Sequence, residues 1–340
     1  MPLAHLNLRE RYLPYKKLIA EVLMDKNPRI RTVINKTDSV GEQNEYRTFS
    51  YELLAGEHDM RVELQELNCV FSFDYSKVYW NSRLETEHKR LVEKFQPGEA
   101  ICDVMAGVGP FAIPAGKKRC FVWANDLNPD SYASLETAVD RNKVRLTSPI
   151  KHSSRSTLTM QKVTPFVKPF NKDGRTFIRA ATKDLMYSDT HADITPKGSR
   201  SKKLANGESR SPVYMTSPKF FSHYVLNLPA SAITFLSAFI GVYAGCSDRF
   251  EPHKDRKLPM LHVHCFSTKP DDNKEVEKKI CQEISEQLTH YMKPGDPENE
   301  GEVEIWDVRD VAPSKKMFCA SFRLPKEVAF SANQGQAKDT

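Results

Sequence analysis

Asp103-Val-Met-Ala-Gly107-Val-Gly109-Pro-Phe111 joins a short apolar run to a helix-like segment. Glycines at such a junction let the backbone approach a ligand closely, and the amino end of a helix favours a negative group. Asp126 closes the next apolar run, where a carboxylate can accept hydrogen bonds from both hydroxyls of a ribose. Together these residues indicate a nucleoside-bearing ligand. No third glycine arrives on the schedule of a dinucleotide loop, because Pro110-Phe111-Ala112 follows Gly109. S-adenosylmethionine therefore fits better than NAD or FAD: it has no pyrophosphate to cradle, and an acid closing the first strand, here Asp103, can meet its methionine amino group.

Two more segments fall at expected strand ends. Asn171-Lys-Asp173-Gly174-Arg175 stands where a third strand finishes; an Asp there can accept from an adenine amino group, and a glycine leaves room beside the ring. As a bare pair, Asp-Gly is only a turn signal, so its position carries the reading. Asn227-Leu228-Pro229-Ala230 closes an expected fourth strand and presents amide and carbonyl groups, braced by proline, to a planar nitrogen base. It resembles the Asn-Pro-Pro motif of amino-methyltransferases, which implies a ring or exocyclic nitrogen as methyl acceptor. The tetrapeptide alone equally describes a strand-ending Asn before a helix-starting Pro.

The elements that position these residues read as follows. Leu13 to Leu23 carries Leu18, Ile19, Val22 and Leu23 at helical spacing, and Asn27-Pro28 stops it. Tyr46 to Tyr79 changes to short alternating runs, such as Met60-Arg61-Val62-Glu63-Leu64, that predict antiparallel strands. Residues 1–80 thus read as a small α+β module. A helix over Leu84 to Phe95 opens residues 81–330, where strands at Ala100 to Met105 and Cys120 to Asn125 alternate with a short helix and one from Pro129 to about Asn142. Further strands are expected at His223 to Asn227, Leu261 to Ser267, Glu302 to Val308 and Lys316 to Phe322. Helices are expected at Ala230 to Gly241 and Asp272 to Met292. The fold class is α/β: a seven-stranded, largely parallel sheet, preceded by the small module. Residues 147–168 and 187–218 are dense in Ser, Thr, Pro, Lys and Arg and read as solvated insertions, so deleting 187–218 is expected to leave the fold intact. Residues 331–340 read as a loose tail.

Composition sets limits. A length of 340 residues suggests two domains, and 50 Lys and Arg against 44 Asp and Glu leave a net charge of +6, which permits a polyanionic partner without requiring one. Seven scattered cysteines without a C-x-x-C pair fit reduced thiols inside a cell, with no disulfide framework or zinc knuckle. Charged residues at Arg9, Glu10 and Arg11 argue against a secretory signal, and Asn227 and Pro229 interrupt the apolar stretch Tyr224 to Gly245, against a membrane span.

Taken together, Arg83-Leu-Glu-Thr-Glu-His88, the Asp103 loop, Asn125-Asp126-Leu127-Asn128-Pro129, Asp173-Gly174-Arg175 and Asn227-Leu-Pro-Ala resemble the archaeal and eukaryotic tRNA (guanine-37 N1)-methyltransferase family. The resemblance runs from about His5 to about Pro325, outside the two insertions. It implies a Rossmann-like sheet of the class I methyltransferase kind, S-adenosylmethionine as donor and methylation of N1 of the guanosine just 3′ of the anticodon. It also implies that His88, Asp126, Leu127, Asp173, Gly174 and Asn227 fall on cofactor-contacting positions. The implied partner is the anticodon stem-loop of tRNA, bound by a monomer in the cytoplasm and mitochondrial matrix, with the nucleus as a further compartment. Members of the family carry a further small N-terminal module that touches the tRNA elbow, and nothing before His5 is expected to encode it.

Guanine N1 carries a proton, which must leave as negative charge gathers on O6. That chemistry needs a base and a cation. Arg83 is the candidate for the guanidinium at O6, on its place before the helix and on the family likeness; its plain alternative is a surface arginine. Asp126 is the first candidate base, and Asn227 would orient the guanine with Pro229 fixing the turn. Two rivals remain open: an aminocarboxypropyl transferase of wybutosine synthesis, and a non-catalytic RNA-binding subunit. His262 and His264 read as structural, with no metal expected. Tyr75, Tyr79 and Trp80 read as core packing, with stacking on an extruded base as the alternative.

Overall fold

The computed structural model describes residues 3–37, 46, 48, 50–143, 166–194, 213–268 and 273–332. The chain opens with β1 (Leu3–Leu6), a 3-10 turn (Glu10–Tyr15), α1 (Lys16–Lys26), β2 (Thr32–Lys36) and β3 (Tyr51–Gly56). Strand β2 lies between β1, parallel to it, and β3, antiparallel to it. Neither β1 nor β2 was expected from the sequence, because each is four or five residues long and has no clear alternation. Helix α1 is where the periodicity predicts it, but its inward face differs: Ala20 packs with Val33 and Leu54, while Leu18 and Val22 are exposed.

An antiparallel hairpin follows, β4 (Arg61–Glu66) and β5 (Cys69–Asp74), then α2 (Glu85–Lys94). Alternation holds in the hairpin: Met60 and Val62 are buried and Arg61 and Glu63 exposed. Residues 60–80, read above with the N-terminal module, share one apolar cluster with Ile101, Phe111, Ile113, Val122 and Leu135 of the larger domain. Asn142 Nδ2 and Oδ1 clamp Val70 O and N at 2.7 and 2.9 Å. Trp80 and Tyr75 are buried in this cluster, as core packing requires, whereas Tyr79 is exposed.

The large sheet then builds by β6 (Ala100–Asp103), α3 (Ala112–Lys117), β7 (Phe121–Asn125), α4 (Pro129–Asn142), β8 (Val167–Phe170) and α5 (Gly174–Tyr187). A two-stranded ribbon, β9 (His191–Asp193) with β10 (Tyr214–Thr216), precedes β11 (His223–Leu226), a 3-10 helix (Ala232–Phe239) and β12 (Met260–Thr268). Last come α6 (Asn273–Leu288), β13 (Lys293–Pro294), β14 (Glu302–Ala312), β15 (Lys315–Arg323) and α7 (Lys326–Phe330). The sheet order is β13-β14-β15-β12-β11-β6-β7-β8. Seven of these strands match the expectation; the eighth is the two-residue β13, too short to leave a pattern. Strands β8, β7, β6, β11 and β12 are parallel, and β15 is antiparallel to β12. Strand order reverses between β6 and β11, which opens a crevice at their carboxyl ends, the usual ligand position in such sheets. Side chains alternate between two cores: Ile101 and Val225 face α2, whereas Cys102, Tyr224 and Leu226 face α5 and α6.

Most of both expected insertions, 147–165 and 195–212, lies outside the described residues. Their described ends are structured, which corrects the reading of wholly solvated segments. Phe166 and Val167 are buried at the start of β8, and Thr190, Ala192 and Ser217 are buried around the ribbon. Deleting all of 187–218 would remove that packing, so tolerance of the whole deletion is no longer expected. Ala192→Asp would place a carboxylate in the core and is expected to lower the melting temperature by about 5–10 °C. An unchanged transition would mean that the ribbon does not pack as described.

Candidate active site

The Gly loop at the end of β6 is folded by its own chemistry. Gly107 and Gly109 have φ of +56° and +97°, which side chains rarely adopt. A Cβ on Gly109 would lie 2.8 Å from both Ile113 and Leu135, whereas one on Gly107 would meet nothing within 4 Å. Gly109 is thus fixed by packing, while Gly107 borders open space. Asp126 braces the loop: its Oδ2 accepts from Gly107 N at 2.8 Å and its Oδ1 from Asn128 N at 2.9 Å. Burial raises the Asp126 pKa, with these amides and Ser131 opposing it.

Asp103 is fully buried, and neither carboxylate oxygen has a partner among the described residues. Burial, then the Asp126 carboxylate, pushes its pKa up to about 8, against a lowering pull from His264. Such an orphaned acid is costly unless a cation arrives. Asn227 stands just past β11, with Oδ1 likewise buried and unpartnered. The turn after it is closed by Ser231 N on Leu228 O at 2.8 Å, and Phe266 N donates to Pro229 O at 3.0 Å. Asp103, Gly107, Asp126 and Asn227 therefore gather at one edge of the sheet.

The other expected residues have more mixed surroundings. Asp173 caps α5, its Oδ1 accepting from Thr176 N at 3.0 Å. Gly174 leaves room for a ring, but the ring beside it is Phe235, 2.9 Å from where a Cβ would sit. Leu127 is 41% exposed at the crevice end of β7, which leaves an apolar face free. His88 is buried, its Nδ1 2.5 Å from Glu66 Oε1 and its ring 4.8 Å edge-on to Phe111. Those contacts place His88 behind the Gly loop, supporting Phe111. Arg83 is exposed in the 3-10 turn before α2, where Asn81 Oδ1 accepts from its backbone N, and its guanidinium has no partner among the described residues.

Sequence reasoning missed three bracing residues. Asn125 Nδ2 donates to Val104 O and Lys172 O at 3.1 and 3.0 Å, joining the ends of β6, β7 and β8. Asn171 Nδ2 donates to Asp126 O and Leu127 O at 2.7 and 2.9 Å. Glu87 is buried on α2, bonded by Arg90 and by His264 on β12. Both asparagines sit inside quoted motifs, and that was the available signal. Nothing local connects Glu87 to His264.

The strand order, the Gly loop and the acids closing β6 and β7 define a class I methyltransferase. A family model described as the TRM5/TYW2 methyltransferase domain matches residues 62–188, and a TYW2 N-terminal domain model matches residues 2–59. A protein of Fusarium vanettenii named tRNA (guanine(37)-N(1))-methyltransferase is 53% identical over 97% of this chain and 67% of its own length. A Neurospora crassa protein of the same name is 53% identical over 96% and 65%. The chain therefore belongs to the tRNA (guanine-37 N1)-methyltransferase family, and it spans about two thirds of the length of these relatives. In fold it is similar to the crystal structure of Trm5b from Pyrococcus abyssi, with a TM-score of 0.60 and 21% identity, covering 95% of this chain and 73% of that one. All seven cysteines are free thiols, and no helix among the described residues is long and apolar enough to cross a membrane.

Proposed function

We propose that this chain transfers a methyl group from S-adenosylmethionine to N1 of guanosine-37 in tRNA. The observation that carries the reading is the buried, unpartnered Asp103 carboxylate beside the equally unpartnered Asn227 Oδ1, at the carboxyl edge of the sheet. The donor fits these residues. Asp103 would hold its ammonium, the free lone pairs of Asp126 its ribose, and the open space over Gly107 and the exposed Leu127 its nucleoside. When bound, the donor supplies an electrophilic methyl on a sulfonium; the C–S electron pair stays on sulfur as the new N–C bond takes the lone pair of N1.

The protein's part is to prepare the acceptor. Arg83 would hold O6 with two guanidinium N–H groups, which lowers the cost of negative charge as the N1 proton passes to solvent water at the mouth of the crevice. Asn227 Oδ1, already without a partner, would accept from an N–H of the guanine and turn its N1 edge inward. Asp126 suits ribose binding better than proton removal, because two backbone amides already draw on its oxygens. The proposed partner is the anticodon stem-loop of tRNA, met by a monomer. The compartments proposed are the cytoplasm and mitochondrial matrix, with the nucleus as a third.

Incubating the chain with tRNA and donor labelled in the methyl group, followed by nucleoside analysis, tests the reading. N1-methylguanosine at position 37 is the expected product. An aminocarboxypropyl base, or no labelled or modified nucleoside at all, would contradict it in favour of one of the two rivals.

A further inference from the structure

The crevice holds a third residue with a polar atom that has no partner among the described residues and that the reading above leaves unused, Nδ1 of the fully buried His264. Its position follows from register. Val225 pairs with Asp103 of β6 on one side and with His262 of β12 on the other. Register partners share a face, and residues two apart on a strand return to it, so Asn227 and His264 come onto the face of Asp103. Unpartnered atoms of Asp103 and Asn227, at the carboxyl ends of β6 and β11, and of His264, midway along the neighbouring β12, thus share one face of the sheet.

The other imidazole nitrogen is held firmly. Nε2 lies 2.8 Å from Glu87 Oε1, and Arg90 grips both Glu87 oxygens at 2.7 Å. Arg90 in turn lies over the Trp306 ring, 5.0 Å from its centroid. Burial lowers the His264 pKa, but the Cys319 sulfur and the Glu87 carboxylate outweigh it and raise it to about 10. Burial also raises Glu87, and Arg90 and His264 reverse that to about 2. The Glu87 carboxylate is therefore shared between the Arg90 guanidinium and the His264 imidazole. Glu87, His264 and Cys319 are close enough together to consider a metal, but Arg90 already occupies both Glu87 oxygens, so the set suits an ion poorly.

We propose that His264, held by Glu87 and Arg90, is a positioning residue of the methyl-transfer crevice: it is the cation that faces Asp103 and readies its carboxylate for the donor's ammonium. This rests on the methyltransferase reading of the same crevice. The charged groups acting on Asp103 are Asp126 from the end of β7 and His264 from β12. Those around His264 are Glu87 and Arg90 from α2, Cys319 from β15, Asp103 from β6, and His262 on its own strand, which burial and nearby cations keep neutral. Without the imidazolium, Asp103 faces Asp126 alone and holds its proton to higher pH.

His264→Gln keeps a hydrogen-bond donor for Glu87 and removes the charge. In calorimetric titrations with S-adenosylmethionine, the pH at which affinity stops rising is expected to move up by about one unit, with affinity at the plateau little changed. A uniform loss of affinity at every pH would mark a merely structural role and overturn the assignment. The parent chain labelled with 15N-histidine gives a readout that needs no variant. One buried imidazolium is expected to persist above pH 8, with its Nδ1 signal moving when donor binds. A bound donor that leaves this signal unmoved, or a neutral His264 at pH 7, would overturn the assignment alone. A parent chain that binds no donor would overturn the methyltransferase reading and this assignment with it.

Discussion

Arg83→Ala is expected to slow single-turnover methyl transfer by about 10²- to 10³-fold, with the donor dissociation constant changed less than about threefold. The split follows from the geometry. Arg83 stands exposed, its backbone set by Asn81, with a guanidinium that nothing else among the described residues uses. It is therefore free to meet an incoming guanine and is not part of the donor pocket's walls. Arg83→Lys should recover only part of the rate, since an ammonium cannot offer the planar fork. Asn227→Ala should behave like Arg83→Ala, because its Oδ1 is buried without a partner among the described residues. Parent-like single-turnover rates in either alanine variant would refute the role assigned to that residue.

The second large effect concerns Asp103. With its pKa raised to about 8, the acid is mostly neutral in the empty pocket at pH 7. An arriving ammonium favours the carboxylate, so binding expels a proton. Donor affinity should therefore rise by roughly tenfold per pH unit below about 8 and level off above it. Asp103→Asn should weaken donor binding by about 10²-fold at pH 8 and flatten this dependence, since no proton is left to expel. The same sign applies to the empty protein. A carboxyl whose folded pKa lies above its ordinary value favours folding most at low pH and loses that contribution as pH rises from about 4 to 8. Empty Asp103→Asn should accordingly melt above the parent at pH 8, although it binds donor worse. Equal pH profiles for parent and variant in calorimetry would show that Asp103 does not meet the ammonium.

How much of this could be read without coordinates depended on whether the signal was local. The Gly loop and α4 were legible because loop closure and capping use residues next to one another: Asn128 caps the helix through Asp130 N at 2.9 Å, and Pro129 starts it. The parallel core followed from strands that end in Asp103, Asp126 and Asn227. Strands β1, β2, β9 and β10 were missed, since their three to five residues are not closed by a chemical motif of the kind that marked the equally short β6, β8 and β11. Gly174 was read as room for a ligand, yet Phe235, far along the chain, fills that room. The Glu87–His264 pair joins residues 177 apart in sequence, and only the packing of α2 over β12 brings them together. His262 and His264 were rightly read as alternating strand residues, but alternation could not reveal that burial and nearby cations push one imidazole's pKa down while Cys319 and Glu87 push the other's up.

Crystals of the chain grown with S-adenosylmethionine would test the central claim most directly. The donor's ammonium is expected within about 3 Å of the Asp103 carboxylate, with the ribose hydroxyls on Asp126 and the methyl facing Asn227. A second hollow, of about 380 Å³, lies at the opposite, amino-terminal edge of the sheet among His223, Phe220, Arg256 and Arg323. Donor density there, with Asp103 still unpartnered, would contradict the account.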